Sequence, residues 1–449
     1  MAPESSAPSA PMDELEELVT PTTPKPTSRT RRVITVLSVV SIVACLAGLF
    51  QSRARETRFS RTGGDLQQEE EEAPAPAPMG RLPMRKISLQ HPLRASASAG
   101  TAAGAIVGNY NGYAVDVTIG DQTFHPIVDT GSGPFAVPIV KLSDCTQVLI
   151  TEGPSAGTGN CDGKPTYELY GRGNWTGRLC SGYNVSLAGF SAGQPLFSGM
   201  LTQFEFLDEC SPNAAGIFSD GILGMAFRPM MKHNSPAVPL FDSVVQASGI
   251  PNIFSMQCCG WTGREAGDGQ LILGGIDNSL YTGELVYTKL TGEIMYCVQA
   301  NRVSAGDGSD GWSNRSTGLC NGMIDSGTYD IKLPEDAYKL VVAPINEVRH
   351  TLPDPKCVTS SDLVKFPDVE VTFEGDVTLK VPPTTYFTPW NSSSDCLTLL
   401  VRSQAVAVRS PPFIFGQPLM EAYYTVFDKE NRRVGFAPIA GCSGSPDAR

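Results

Sequence analysis

Residues 124–135 read FHPIVDTGSGPF. An apolar run ends at Asp129, and Thr130-Gly131-Ser132 follows. One copy carries little information, because Asp and Gly after a strand are ordinary turn residues. The chain holds a second. Residues 322–331, GMIDSGTYDI, set Asp325 after another apolar run and ahead of Ser326-Gly327-Thr328. Downstream of each copy stands the same landmark, two apolar residues and a glycine. These are Ile222-Leu223-Gly224 and Ile414-Phe415-Gly416, separated from their Asp by 95 and 91 residues counted to the glycine. Two halves with their parts in one order indicate a duplicated lobe.

Short alternating segments dominate the rest. YAVDVTI (113–119), YNVSLAGF (183–190), VEVTF (369–373), YYTVFD (423–428) and RVGFAP (433–438) carry the period of half-buried strands. Helical patterns are few. PEDAYKLVV (334–342) opens with Pro334 and two acidic residues, and Pro344 is expected to limit it. PLFDSVVQASG (239–249) ends on a glycine suited to a helix stop. The expected fold is mainly β: two duplicated β lobes, 109–257 and 258–449, with a cleft between them.

A pseudo-twofold relation between the lobes brings Asp129 and Asp325 together at the interface. Two carboxylates in contact cannot both ionise cheaply, so they share a proton. One then serves as base towards a bound water and the other as acid towards a peptide carbonyl. Gly131 and Gly327 let the backbone approach the carboxylates with amides pointing inward. Ser132 and Thr328 can donate to the outer oxygens and hold the pair coplanar. This chemistry needs no metal, cofactor or covalent intermediate.

The 449 residues are 41% hydrophobic and 18% charged, with 45 Gly and 35 Pro, which suits a turn-rich globular chain. A formal charge of −12 argues against nucleic acid as a partner. Part of that charge lies in the low-complexity run QQEEEEAPAPAP (67–78). The 18 uncharged residues 33–50, VITVLSVVSIVACLAGLF, reach about 27 Å as a helix, close to the hydrocarbon thickness of a bilayer. A cleaved signal peptide is the rival reading, but it normally has a shorter apolar core and leader. An uncleaved anchor is expected, between a tail (1–32) and a linker (51–79). Eleven of the twelve cysteines and the four sequons at Asn174, Asn184, Asn314 and Asn391 follow residue 50. Disulfides and N-glycans belong to the secretory side, so the body should be luminal, in a single-pass type II arrangement.

Over about residues 80–442 the chain resembles the pepsin-type aspartic proteases. The motifs that carry the resemblance are the two Asp stretches, DGILGMA (220–226), LILGGIDNSLYTGEL (271–285) and YYTVFDKENRRVGFAP (423–438). IPNIFSMQCCG, NSLYTGELVYT and LMEAYYTVFD are similar to the beta-secretase branch, whereas the amino-terminal anchor is similar to plasmepsins. The resemblance implies the bilobal pepsin-like fold and an endopeptidase acting on peptides or proteins, as a monomer. It implies that Thr130 and Ser326 interlock the two catalytic loops. LYGRGNWTG (169–177) is similar to the flap hairpin, with Tyr170 closing over substrate beside Gly171 and Trp175. GRLPMRKISL (80–89) resembles a basic prosegment, which would run over 80–108, be cut between 90 and 110 and release the enzyme. Lys86 or Arg85 would then block the site. The implied disulfides are Cys357–Cys396, Cys442 with Cys258 or Cys259, and Cys145–Cys161. Gly133-Pro134 and Tyr329-Asp330 depart from the family pattern beside the cleft.

Rival chemistries lack their residues. GRGNWTG has the wrong glycine spacing for a dinucleotide site. No His-Glu-X-X-His zinc motif occurs, DTGSG lacks the first glycine of the Gly-X-Ser-X-Gly elbow that a serine hydrolase sets on a strand–helix turn, and His125 is expected to play a local structural part. A peptide-binding protein of the same fold that cuts nothing would be expected to have lost a catalytic Asp, and both are present.

Overall fold

The computed structural model describes residues 79–89, 110–142, 147–152, 157–171, 173–206, 219–231, 235–262, 265–266, 268–307, 311–313, 320–389, 395–404, 411–440 and 442. All belong to one compact unit, 74–449. The expected tail, the span 33–50, the linker apart from Met79, Cys145, Asn314 and Asn391 lie outside the described residues. Among those described, no helix is long and apolar enough to cross a membrane.

The repeated motifs fold the same way twice. In the first half, Ile222–Gly224 pairs parallel with Ile127–Asp129 and antiparallel with Phe135–Pro138. In the second, Phe413–Phe415 pairs parallel with Gly322–Ile324 and antiparallel with Ile331–Pro334. Each landmark is thus the partner strand of its own Asp, which is why it recurs in both halves at a similar distance. All four of these Asp and landmark strands are short, apolar and mostly buried, as strands with neighbours on both sides should be. The result is a mainly β, bilobal protein.

A thirteen-stranded sheet, counted among the described residues, runs from Val286–Lys289 through the centre to the hairpin Pro165–Leu169/Asn174–Cys180. Gly80–Leu89, the stretch read as prosegment, lies inside it between Asp268–Leu273 and Tyr110–Ala114. Leu82 and Met84 are buried there and Arg81 pairs with Asp277, so in the uncut chain this stretch is held as a strand of the central sheet. Lys86 stands opposite Tyr113 and Arg85 opposite Ala114 and Asp268; the side chains of both lie outside the described residues. Phe254, Tyr296 and Phe427 form a fully buried aromatic cluster, with centroids 4.8 Å (Phe254–Phe427) and 4.6 Å (Tyr296–Phe427) apart. Each buried ring contributes about 1.5–3 kcal/mol. Tyr296 also donates to the Met225 carbonyl at 2.8 Å, tying this core to the first half.

Three expectations change. The helix read as 334–342 spans Glu335–His350 and continues through Pro344. A helix-interior proline costs about 3 kcal/mol. Burial of Val341, Val342 and Ile345 opposes that cost, as do acidic residues in the first turn and Arg349 and His350 in the last. The strand read over 113–119 divides, because the chain leaves one sheet after Ala114 and enters another at Val117. The strand over 183–190 is interrupted at Ala188-Gly189, both at positive φ. VEVTF, YYTVFD, RVGFAP and the helix closed by Gly249 form as read.

Cys357–Cys396 and Cys259–Cys442 are disulfides, joined by Cys297–Cys320 and Cys161–Cys180. Cys161 therefore does not pair with Cys145. Asn160 and Ser181 exchange backbone hydrogen bonds of 3.0 and 2.9 Å beside the flap hairpin, which brings Cys161 within 3.9 Å of Cys180, Cα to Cα. Cys258 ends its strand buried in the core, and Cys259, the first residue past that strand, takes Cys442. The Cys259–Cys442 bond closes a separation of 183 residues. Replacing both by Ser is expected to cost about 2–5 kcal/mol, read as a lower thermal midpoint.

Candidate active site

The two Asp strands end side by side at the floor of a cleft of about 480 Å³. Asp129 and Asp325 are each 5% exposed. Their hydrogen bonds mirror one another. Asp129 Oδ1 accepts from Gly131 N at 2.9 Å and Oδ2 from Ser132 Oγ at 2.5 Å. Asp325 Oδ1 accepts from Gly327 N at 2.9 Å and Oδ2 from Thr328 Oγ1 at 2.6 Å. The hydroxyls occupy the outer oxygens, and the two carboxyls are within hydrogen-bonding reach of each other. Burial, and next the charge of Asp325, hold the carboxyl of Asp129 well above the usual carboxylate range. One proton is therefore retained where an exposed pair would have lost both.

Thr130 and Ser326 lock the loops across the interface. Thr130 N donates to Ser326 Oγ at 3.0 Å and Ser326 N to Thr130 Oγ1 at 2.9 Å. Each hydroxyl then donates onward, Thr130 to the Ile324 carbonyl at 3.1 Å and Ser326 to that of Val128 at 2.7 Å. Both residues are fully buried, so these four bonds work in a low-dielectric environment.

Above the floor, the strands Pro165–Leu169 and Asn174–Cys180 form a hairpin closed by Tyr170 N donating to Gly173 O at 3.1 Å. Tyr170 and Gly171 line the cleft. The Tyr170 ring stacks on Phe206 at 4.9 Å, and its hydroxyl accepts from Trp175 Nε1 at 3.3 Å. Burial first and Asp129 next push the Tyr170 phenol up. Trp175, read from sequence as a substrate contact, is 1% exposed among Ala136, Met200 and Ile222. It anchors Tyr170 from behind. Tyr170→Phe leaves that buried indole N–H unpaired and is expected to lower kcat/KM roughly ten-fold, measured on a quenched peptide.

The departures from the family pattern fall on different surfaces. Tyr329 lines the cleft, whereas Asp330 is 2% exposed and burial pushes its carboxyl up to about 6, opposed by Lys332 at 3.9 Å. Gly133 packs against Met230 and Met231, and Pro134 lines a side pocket with Trp175. Asn174 is half-buried on the hairpin and Asn184 is exposed. One supporting residue escaped the sequence reading. Gln417 donates its backbone N–H to Thr328 O at 2.8 Å and its side chain to Ser326 O at 3.1 Å. Its position directly after Ile414-Phe415-Gly416 was the available signal.

A model of the eukaryotic aspartyl protease family matches residues 112–439. Gastricsin of Cavia porcellus is 26% identical over 71% of this chain and 77% of its own length. Pepsin B of Canis lupus familiaris is 30% identical over 72% and 80%. A beta-secretase of Strongylocentrotus purpuratus is 26% identical over 73% and 66%. The match spans both halves, from the strand ahead of the first Asp to the last strand of the central sheet, and the chain belongs to the eukaryotic aspartyl proteases.

Proposed function

We propose that Asp129 and Asp325 are the catalytic pair of this aspartic endopeptidase and share one proton over a water held between them. The mirrored set of hydrogen bonds around two buried, mutually close carboxyls carries the reading. The ionised carboxyl takes a proton from the water as it attacks the peptide carbonyl, and the protonated one gives its proton to the carbonyl oxygen. The roles then reverse, with the second transfer going to the leaving amine. Ser132 and Thr328 fix the outer oxygens, and each inner oxygen, which accepts one backbone N–H, keeps a second lone pair for the exchange. Tyr170 and Gly171 close over the substrate, and Trp175 sets the height of Tyr170.

The enzyme is made as a membrane-anchored zymogen in the secretory pathway. The uncharged run 33–50, the cysteines and sequons after it, and the four disulfides formed among the described residues support this. Cleavage between 90 and 110 matures it, with Lys86 or Arg85 as the blocking cation before the cut. The cut would release the catalytic body into a vacuole or outside the cell.

The test is expression in a secretory host followed by an acid step and assay of a quenched peptide library. The expected result is cleavage that follows the acid step and is blocked by a statine-type transition-state mimic. Cleavage indifferent to the mimic would sink the shared-proton reading.

A further inference from the structure

We propose that His125 is a positioning residue, a clamp that holds the first catalytic strand in place while its imidazole is protonated. The activity arm of this proposal rests on the reading of Asp129 as catalytic.

His125 lies four residues before Asp129, at the foot of the strand that presents it. Its backbone N–H donates to Asp220 Oδ1 at 2.5 Å. Its Nδ1 lies 3.5 Å from Asp220 Oδ2 and its Nε2 lies 3.6 Å from Asp116 Oδ1. These two carboxylates are the charged groups seen to face the imidazole among the described residues. Each comes from a different segment. Asp116 sits where the chain leaves one sheet for another, and Asp220 leads into Ile222–Gly224, the parallel partner of the Asp129 strand. Backbone bonds converge on the same place, Val115 N to Pro126 O and Ile127 N to Gly221 O, both at 3.1 Å. One half-buried side chain therefore ties together the three segments that fix where Asp129 points.

The duplicated half supplies an internal comparison. Four residues before Asp325 stands Asn321, 8% exposed. Its side chain accepts from Ala300 N at 2.7 Å and donates to Ala300 O at 2.8 Å, while its carbonyl accepts from Phe413 N at 2.9 Å. The same position thus performs the same task with a neutral amide. An amide does not titrate. An imidazolium offers an N–H to each of its two carboxylates, and a neutral imidazole offers only one. At this position the first half has a fastening that depends on a proton, and the second half has one that does not.

The direction follows. With a proton on both ring nitrogens each can serve its own carboxylate, and with one proton only one can. Histidine ordinarily changes charge near about pH 6.5, so the two-sided fastening is present in acid and lost as pH rises through the histidine range. The first strand should be held firmly in acid and loosen above neutrality.

The test compares the full chain with His125→Asn, which copies the solution used in the other half. Thermal midpoint and kcat/KM are followed from about pH 5 to about pH 8, bracketing the histidine range. The expected gap between the two proteins is widest at the acid end, roughly three-fold in kcat with little change in KM, and closes at the alkaline end. Any pH dependence of the Asp129–Asp325 pair cancels in that difference. Asp116→Asn, a change at a carboxylate that is 46% exposed, should give a smaller gap of the same shape. It carries the test alone if His125→Asn does not fold. A gap constant across the range, or Asp116→Asn matching the unaltered protein throughout, overturns the clamp. The thermal arm needs no cleavage, so it reports on the clamp even if the catalytic assignment fails.

Discussion

Asp325→Asn is expected to lower kcat by about three orders of magnitude while the protein still folds. The amide has the shape of the carboxyl. Its oxygen can accept from Gly327 N, and the Thr328 hydroxyl can turn to accept from its NH₂ group, so the local packing survives. What is lost is the exchangeable proton, in both attack and departure. Stability provides an independent readout. Asp129 keeps its proton in the folded state to higher pH than in an unfolded chain, where an Asp titrates near about 3.9. The native state then binds more protons than the unfolded one, so stability falls as pH climbs past that value. Removing the charge of Asp325 removes the second cause of the shift. The variant should therefore lose less stability than the unaltered protein between about pH 4 and about pH 7, measured by thermal unfolding. Full activity in the variant would remove Asp325 from the chemistry altogether.

The repeated motif was legible because its parts touch. Each Ile-Leu-Gly-type landmark is hydrogen-bonded to its own Asp strand, so the spacing in sequence reflects a contact in space. Ser132 and Thr328 were equally readable, since each lies three residues past its Asp and reaches back to the same carboxyl. What stayed hidden depends on partners distant in sequence. Nothing near Cys161 tells that the flap hairpin returns Cys180 to its side. Pro344 is a helix breaker by local rules, and the burial of Val341 and Ile345 that overrides it is tertiary. Trp175 follows the flap tyrosine closely enough to be taken for a substrate contact, yet strand alternation turns it into the core. His125 is uninformative in the chain and acquires meaning only beside Asp116 and Asp220.

Gly327→Ala should be nearly as damaging as loss of a carboxyl, through space alone. Neither Gly131 nor Gly327 adopts the left-handed backbone that favours glycine. Each is a glycine because the opposite carboxyl lies against it. A Cβ on Gly327 would overlap Oδ1 of Asp129, lie 2.7 Å from its Cγ and crowd Oδ1 of Asp325 at 3.3 Å. A Cβ on Gly131 would lie 2.6 Å from Oδ1 of Asp325. The loops cannot retreat, because the reciprocal bonds of Thr130 and Ser326 fix their separation. The added methyl must therefore displace Asp129, and a shift of about 1 Å at a reacting group costs about 10²-fold in rate. The same overpacking should destabilise by about 1–3 kcal/mol. Gly133→Ala is the control two residues past Gly131. Its Cβ would meet the Met231 sulfur at 3.0 Å and both Met230 Cβ and Met231 N at 3.3 Å, so the Met231 side chain can move aside and the other two contacts need give only by a few tenths of an ångström. It should retain most activity. If Gly327→Ala were as active as Gly133→Ala, the carboxyls would not be held by close packing, and their positions would have to be maintained by the Ser132 and Thr328 hydroxyls alone.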